Sequence, residues 1–167
     1  MDKRRNIHFI FSIVLITIIC HIGDAATGER IQKIKLYGAI NEPAPFFITI
    51  SDLEQLSLTE YPVFNPYRKK TITYKGVLMK ELVKKFGQPG VTKIMIGAID
   101  GYQSEFIIQE WQKWNILFAF KADGELMGPD RNGPLKVIMP YDTSPDMDRV
   151  LYEPKWIWAI NKITFKK

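Results

Sequence analysis

Polar and apolar side chains alternate over Lys33–Tyr37 in "IQKIKLYG", which predicts a half-buried strand ending at Gly38. "PFFITI" predicts a second strand running into "SDLEQL", where Ser51 and Glu54 have the spacing of a capping box. "KGVLMKELVKKFG" carries the clearest helical period. Val77, Leu78, Leu82, Val83 and Phe86 share one face, lysines cover the other, and Gly87 ends it. "VTKIMIGAI" predicts a buried strand, "QEWQKW" one or two helical turns, and "WNILFAFKADGELM" a strand entering an Asp123-Gly124 hairpin. "GPLKVIMP" and "WIWAINKITF" are the last strands expected. In the second, Trp156 and Trp158 would face the same side of a sheet. Strands with a few inserted helices, without regular βαβ alternation, predict a mixed α+β domain of mainly β structure.

The stretch "AIDGYQSEFIIQEW" interrupts an apolar run at Asp100-Gly101-Tyr102 and resumes at Phe106. Two readings stand. Asp100 bonds backbone N–H groups in a tight turn, or the carboxylate, glycine and ring are presented to a bound molecule.

The N-terminus changes the chemistry open to the chain. "MDKRR" followed by "IHFIFSIVLITIIC" and "HIGDAAT" reads as a basic segment, an apolar stretch and small residues near a cleavage point at Ala25 or Ala26. Residues 1–25 are therefore expected to be a signal peptide and 26–167 one domain, in the periplasm or secreted. An uncleaved membrane anchor is the alternative. Cys20, the sole cysteine, and both histidines, His8 and His21, fall in that leader. The remainder has no thiol for a disulfide, no Cys/His zinc set, and no histidine base or thiol nucleophile. A 46% hydrophobic and 25% charged composition belongs to a folded chain rather than a disordered one. The net charge of +5 is scattered, with only short runs such as "RKK", and lacks the clustered stripe of a nucleic-acid binder. "YDTSPDMD" lacks the spacing of a calcium loop, and no phosphate-binding glycine loop or nucleophile elbow occurs.

Six motifs in order then become informative: "LYGAINEPAPFFITISDLEQL", "YKGVLMKELVKKFG", "AIDGYQSEFIIQEW", "LFAFKADGELM", "NGPLKVIMPYD" and "WIWAINKITF". Together they resemble the oxidoreductase molybdopterin-binding domain, which has the sulfite oxidase-type fold. The likeness covers roughly residues 31–165 and is nearest to the small, single-domain exported members. Enzymes of that family hold molybdenum through a cysteine thiolate lying before the segment that matches "YKGVLMKELV". Here "EYPVFNPYRKKTITYKGV" has no cysteine. Molybdenum calls for that soft sulfur donor, so the resemblance implies a pterin or molybdopterin-like ligand and argues against molybdenum.

The same resemblance nominates residues for a pterin pocket. Asp100, Gly101 and Tyr102 match an Asp-Gly-Tyr or Asn-Asp-Tyr signature, the carboxylate pairing with the heterocycle's edge. Tyr67 stands where small members carry an aromatic after proline, as a stacking wall, with Arg68 beside it as an oxygen or phosphate contact. Gly133 and Pro134 match a Gly-Pro-Leu motif that lets backbone approach a ligand, and Arg131 and Lys136 would meet an anionic side chain of the pterin. Tyr141 would line the rim and Trp158 matches a tryptophan near the last strand. Trp111 and Trp114 read as core.

Three functions follow. The first is an exported, non-catalytic pterin-binding protein, which in small members of the family implies an accessory role beside inner-membrane sensors, including cyclic-diguanylate signalling proteins. The second is a molybdopterin-dependent oxidoreductase without a cysteine ligand. The third is an interaction scaffold with a vestigial pocket.

Overall fold

The computed structural model describes residues 32–167. The leader expected at 1–25 and the first residues of the domain lie outside the described residues. Two five-stranded sheets enclose one hydrophobic core.

The first sheet comprises β1 (Ile34–Gly38), β2 (Phe46–Ile48), β5 (Lys93–Ala98), β6 (Gln103–Ile107) and β10 (Ile160–Lys166), in the order β2-β1-β10-β5-β6. β1 and β10 pair in parallel, and the other neighbours are antiparallel. Alternation decides which face is buried. Leu36, Ile163, Ile96 and Ser104 are cross-strand partners pointing into the core, while Lys35, Lys162 and Gln103 in the next row point out.

The second sheet runs β3 (Leu58–Asn65), β4 (Lys70–Leu78), β7 (Leu117–Ala122) and β8 (Glu125–Leu126), with β9 (Lys136–Ile138) also paired to β7. Leu117 to Phe120 form an unbroken buried run, as expected of a strand covered on both sides. Four short helices link the strands: α1 (Ile50–Glu54), α2 (Met79–Phe86), α3 (Ile108–Lys113) and α4 (Arg149–Tyr152). The mainly β, mixed α+β class expected from the sequence is the class observed.

Several local expectations shift. The helix-forming period at 75–87 is split. Val77 and Leu78 belong to β4, where they pair with Phe118 and Leu117, and only Met79–Phe86 is helical. Ladder hydrogen bonds to a buried strand outweigh the helical preference of two apolar residues that fit either pattern. Gly87 ends α2, but in extended geometry, with its N–H donating to the Val83 carbonyl at 2.8 Å. The capping box at α1 sits two residues earlier than expected. Thr49 Oγ1 accepts from the Asp52 N–H at 3.3 Å and Asp52 Oδ2 accepts from the Thr49 N–H at 2.7 Å, because β2 already ends at Ile48. The β3–β4 hairpin, spanning "LTEYPVFNPYRKKTITYKGVL", carries no clean alternation and was not expected. Asp123 (φ 52°) and Gly124 (φ 83°) form the predicted turn between β7 and β8.

The main correction concerns the last strand. It begins at Ile160, so Trp156 and Trp158 precede it. The segment Trp156–Ala159 instead crosses between the sheets. The Ile157 carbonyl accepts from the Val137 N–H of β9 at 2.8 Å, and the Ala159 carbonyl accepts from Ile99 N–H beyond β5 at 3.0 Å. With its backbone tied to both sheets, this segment places its two indoles in the space between their ends.

Candidate functional site

The β3–β4 turn is organised by one side chain. Asn65 is buried, its Oδ1 accepts from the N–H groups of Tyr67 (3.0 Å) and Arg68 (2.9 Å), and its Nδ2 donates to Tyr74 Oη at 2.6 Å. The turn sends its next two side chains to different places. Tyr67 enters an aromatic cleft and Arg68 a basic one.

The aromatic cleft, of about 320 Å³, is lined by Tyr67, Asp100, Tyr102 and Trp158, together with Ala98, Pro154, Trp156 and Ile157. Trp158 meets Tyr67 edge-on with ring centroids 5.4 Å apart, and Trp156 lies 6.2 Å from the same ring. Both phenols are fixed by the chain that follows α4: Tyr67 Oη donates to the Glu153 carbonyl at 3.3 Å and Tyr102 Oη to the Pro154 carbonyl at 2.7 Å. Burial, the Glu153 carboxylate and the neighbouring Tyr102 all push the Tyr67 phenol above its ordinary pKa, so it stays protonated as a donor. That chain is held in turn by an ion pair between Lys155 and the buried Glu110, whose other oxygen accepts from the Ile107 N–H at 2.8 Å.

Asp100 and Gly101 form the tip of the β5–β6 turn. Asp100 Oδ1 accepts from the Tyr102 N–H at 3.0 Å, the Gly101 N–H donates to the Ala98 carbonyl, and Gly101 has φ 90°, which a side chain would strain. The turn and the pocket edge are therefore the same object. One carboxylate oxygen shapes the loop, the other has no protein partner among the described residues, and Asp100 lines the cleft walled by rings.

The basic cleft, of about 350 Å³, contains Arg68, Arg131 and Lys136 with Lys70, Tyr74 and Met127. Arg131 pairs with Glu125, and Lys70 lies 3.8 Å from Asp123. Among the described residues Arg68 and Lys136 have no carboxylate partner. Burial, reinforced by the Arg68 charge, lowers the Lys136 pKa to about 8.

The remaining nominated residues line neither cleft. A Cβ on Gly133 would stand 1.8 Å from the Met127 carbonyl oxygen, so this glycine allows two backbone segments to touch. Pro134 follows it into β9. Tyr141 is buried, its ring parallel to Trp156 with centroids 6.1 Å apart. Its hydroxyl and the Trp156 indole N–H are both buried without a hydrogen-bond partner among the described residues. Burial pushes the Tyr141 phenol well above its ordinary range. Trp156, set aside in the sequence as one residue of a strand, is the ring that the cleft is built around, also meeting Tyr74 edge-on at 6.3 Å. The signal for it was the pair of tryptophans two apart before an apolar strand. It carries hydrophobicity and no hint that the strand begins later.

These clefts suit different parts of a ligand. A flat, polarisable heterocycle fits between the rings of the first, with Asp100 at its edge, and an anionic group fits the cations of the second. A soft metal fits neither. Residues 32–167 contain no cysteine or histidine, and no three acidic side chains among the described residues converge.

No family model matches the chain, and no curated protein does. Among solved structures the fold is similar to that of the sulfane dehydrogenase SoxCD from Paracoccus pantotrophus, with a TM-score of 0.58 at 13% sequence identity. The match covers 80% of this chain and 37% of that one. The chain thus spans well under half the length of its structural neighbour, and what is shared is the fold, of sulfite oxidase type.

Proposed function

We propose that this is an exported, non-catalytic protein that captures a molecule of the pterin class. One observation carries the reading: Tyr67, Tyr102, Trp156, Trp158 and the Asp100 carboxylate, far apart in sequence, converge on a single cleft of about 320 Å³. Such a cleft is of a size for a bicyclic ring. A carboxylate at its edge pairs with the amino group and ring N–H of a pterin. Asp100 Oδ1 keeps a lone pair beyond its bond to the Tyr102 N–H, so both oxygens remain available. An anionic substituent on the ring would be met by Arg68 and Lys136 in the neighbouring cleft. In this reading the protein is accessory to an inner-membrane signalling protein that senses whether the cleft is filled.

Catalysis by a molybdopterin oxidoreductase is the second reading, favoured by the fold shared with a sulfane dehydrogenase. It requires a metal held by the cofactor's own sulfurs.

The test is to purify the protein from its native envelope, release its small molecules for mass spectrometry and measure its metal content. A reduced or oxidised pterin is then titrated while tryptophan emission is followed. Saturable quenching at one equivalent, with no stoichiometric metal, is expected. Stoichiometric molybdenum with a dithiolene cofactor would overturn the proposal in favour of the enzyme, and neither ligand nor metal would leave the scaffold reading.

A further inference from the structure

The outward face of the first sheet carries an ordered row across all five strands. Phe47 of β2 is opposite Lys35 of β1, Lys35 opposite Lys162 of β10, Lys162 opposite Gly97 of β5, and Gly97 opposite Gln103 of β6. Residues directly opposite point to the same face, so two lysines stand side by side, a pairing that costs stability when nothing neutralises it. Among the described residues neither Lys35 nor Lys162 has an acidic partner. Two rows further along, Lys93 and Lys166 do have one, both reaching Glu105 at 3.5 and 3.9 Å. Within this row the charge of Lys35 and Lys162 is thus uncompensated among the described residues.

These two lysines share a hollow of about 220 Å³, lined also by Gly97, Gly101, Gln103 and Asn161 among others. Gly97 makes the hollow possible. A Cβ there would lie 3.1 Å from Lys162 Cε, so the absence of a side chain lets this lysine lie across β5. Apolar surface borders it: Phe47 is 45% exposed in the same row, and Ile99 is 75% exposed at the edge.

We propose that this face docks an acidic-apolar segment of a partner protein, with one carboxylate seated between Lys35 and Lys162 and apolar neighbours on Phe47 and Ile99. Charge complementarity selects an acidic occupant. The concave shape, the side-chain amides of Gln103 and Asn161 and the flanking apolar side chains select a peptide side chain over a lipid surface, which would call for a larger cluster of cations than these two lysines. The hollow also backs onto the aromatic cleft. Asp100 and Tyr102 of the β5–β6 turn line the cleft, Ile99 and Gly101 line the hollow, and Ala98 lines both. A ligand that fixes the turn would thereby preform the docking site. This read-out rests on the pterin reading, while the docking itself does not.

The experiment measures anisotropy of a fluorescein-labelled peptide of alternating glutamate and leucine titrated with the purified protein. Lys35→Glu with Lys162→Glu is expected to weaken binding at least about tenfold. Lys84→Glu with Lys85→Glu on α2, which changes net charge equally, is expected to leave affinity within about twofold. Gly97→Ala, which keeps every charge but crowds the hollow, is expected to weaken it about threefold. Should the double reversal fail to fold, Lys35→Gln with Lys162→Gln gives the same comparison. No peptide binding by the wild type, equal loss in both double reversals, or binding to anionic vesicles without binding to peptide would each overturn the proposal. If peptide binding behaves as expected but pterin neither binds nor alters it, the docking site stands and the pterin reading falls.

Discussion

Tyr67 and Arg68 are neighbours in sequence, yet they belong to clefts of opposite character. In the aromatic cleft both phenols are satisfied by the backbone, donating to the carbonyls of Glu153 and Pro154, and the one charge is the Asp100 carboxylate. In the basic cleft the carboxylates Asp123 and Glu125 are taken up by Lys70 and Arg131, Arg68 and Lys136 have no carboxylate partner among the described residues, and burial, reinforced by the Arg68 charge, lowers the Lys136 pKa. The first site is preorganised for a ring and asks little of its occupant. The second is electrostatically incomplete until an anion arrives. Between them stand Trp156 and Tyr74, their rings edge-to-face. Two recognition chemistries are kept apart by one aromatic wall.

Removing the wall should therefore have the largest effect. Trp156 is buried and meets the rings of Tyr67, Tyr74 and Tyr141. Trp156→Ala is expected to cost about 3–5 kcal/mol of unfolding free energy in urea titrations, as large-to-small changes of core aromatics do. It should also weaken pterin binding, since the ring around which the aromatic cleft is built would be gone. A loss below about 1 kcal/mol would show that the wall is not packed as described.

Next in size comes a substitution confined to the aromatic side. Asn at position 100 keeps the oxygen that accepts from the Tyr102 N–H, so Asp100→Asn should leave urea stability unchanged. Without the charge-assisted pair at the ring's edge, pterin affinity should fall about ten- to a hundredfold, equivalent to about 1.5–3 kcal/mol. Unchanged affinity would confine Asp100 to its turn. Unfolding would show that its charge, and not just its oxygen, shapes the loop.

The contrast between the clefts also marks what the sequence could convey. The α+β class, the Asp123-Gly124 turn and the inward row of β1 were legible because period-2 alternation and turn chemistry are local signals. The β3–β4 hairpin was not, since "EYPVFNPYRKK" mixes two prolines, three aromatics and a cation run, and no regular alternation marks where its two strands pair. Four nominated residues, Tyr67, Asp100, Tyr102 and Trp158, share the aromatic cleft, and Arg68, Arg131 and Lys136 share the basic one. Nothing in their order along the chain separates the two groups. Trp156 was discounted because an indole in an apolar stretch looks the same whether it packs in a sheet or walls a pocket. Only the late start of β10 at Ile160 decides which.

The basic cleft offers the smallest expected effect and the one with a pH signature. The Lys136 amine titrates at about 8 in the folded protein, against an ordinary lysine value of 10.5. Between those values the unfolded chain holds more protons than the folded one, so stability rises with pH through that window. Below about pH 8 both states are protonated and the penalty is constant. Part of the side chain remains in water, and screening there leaves an effect of about 1 kcal/mol. Lys136→Met should thus be more stable than the wild type near neutral pH by about that amount, with the difference fading toward pH 10.5. Added phosphate should narrow the same gap at neutral pH by neutralising the charge the cleft leaves open, and Asp100→Asn should leave this profile untouched. A wild-type minus Lys136→Met difference that stays flat from neutral pH upward would mean that Lys136 reaches solvent, and the two clefts would then differ only in their rings.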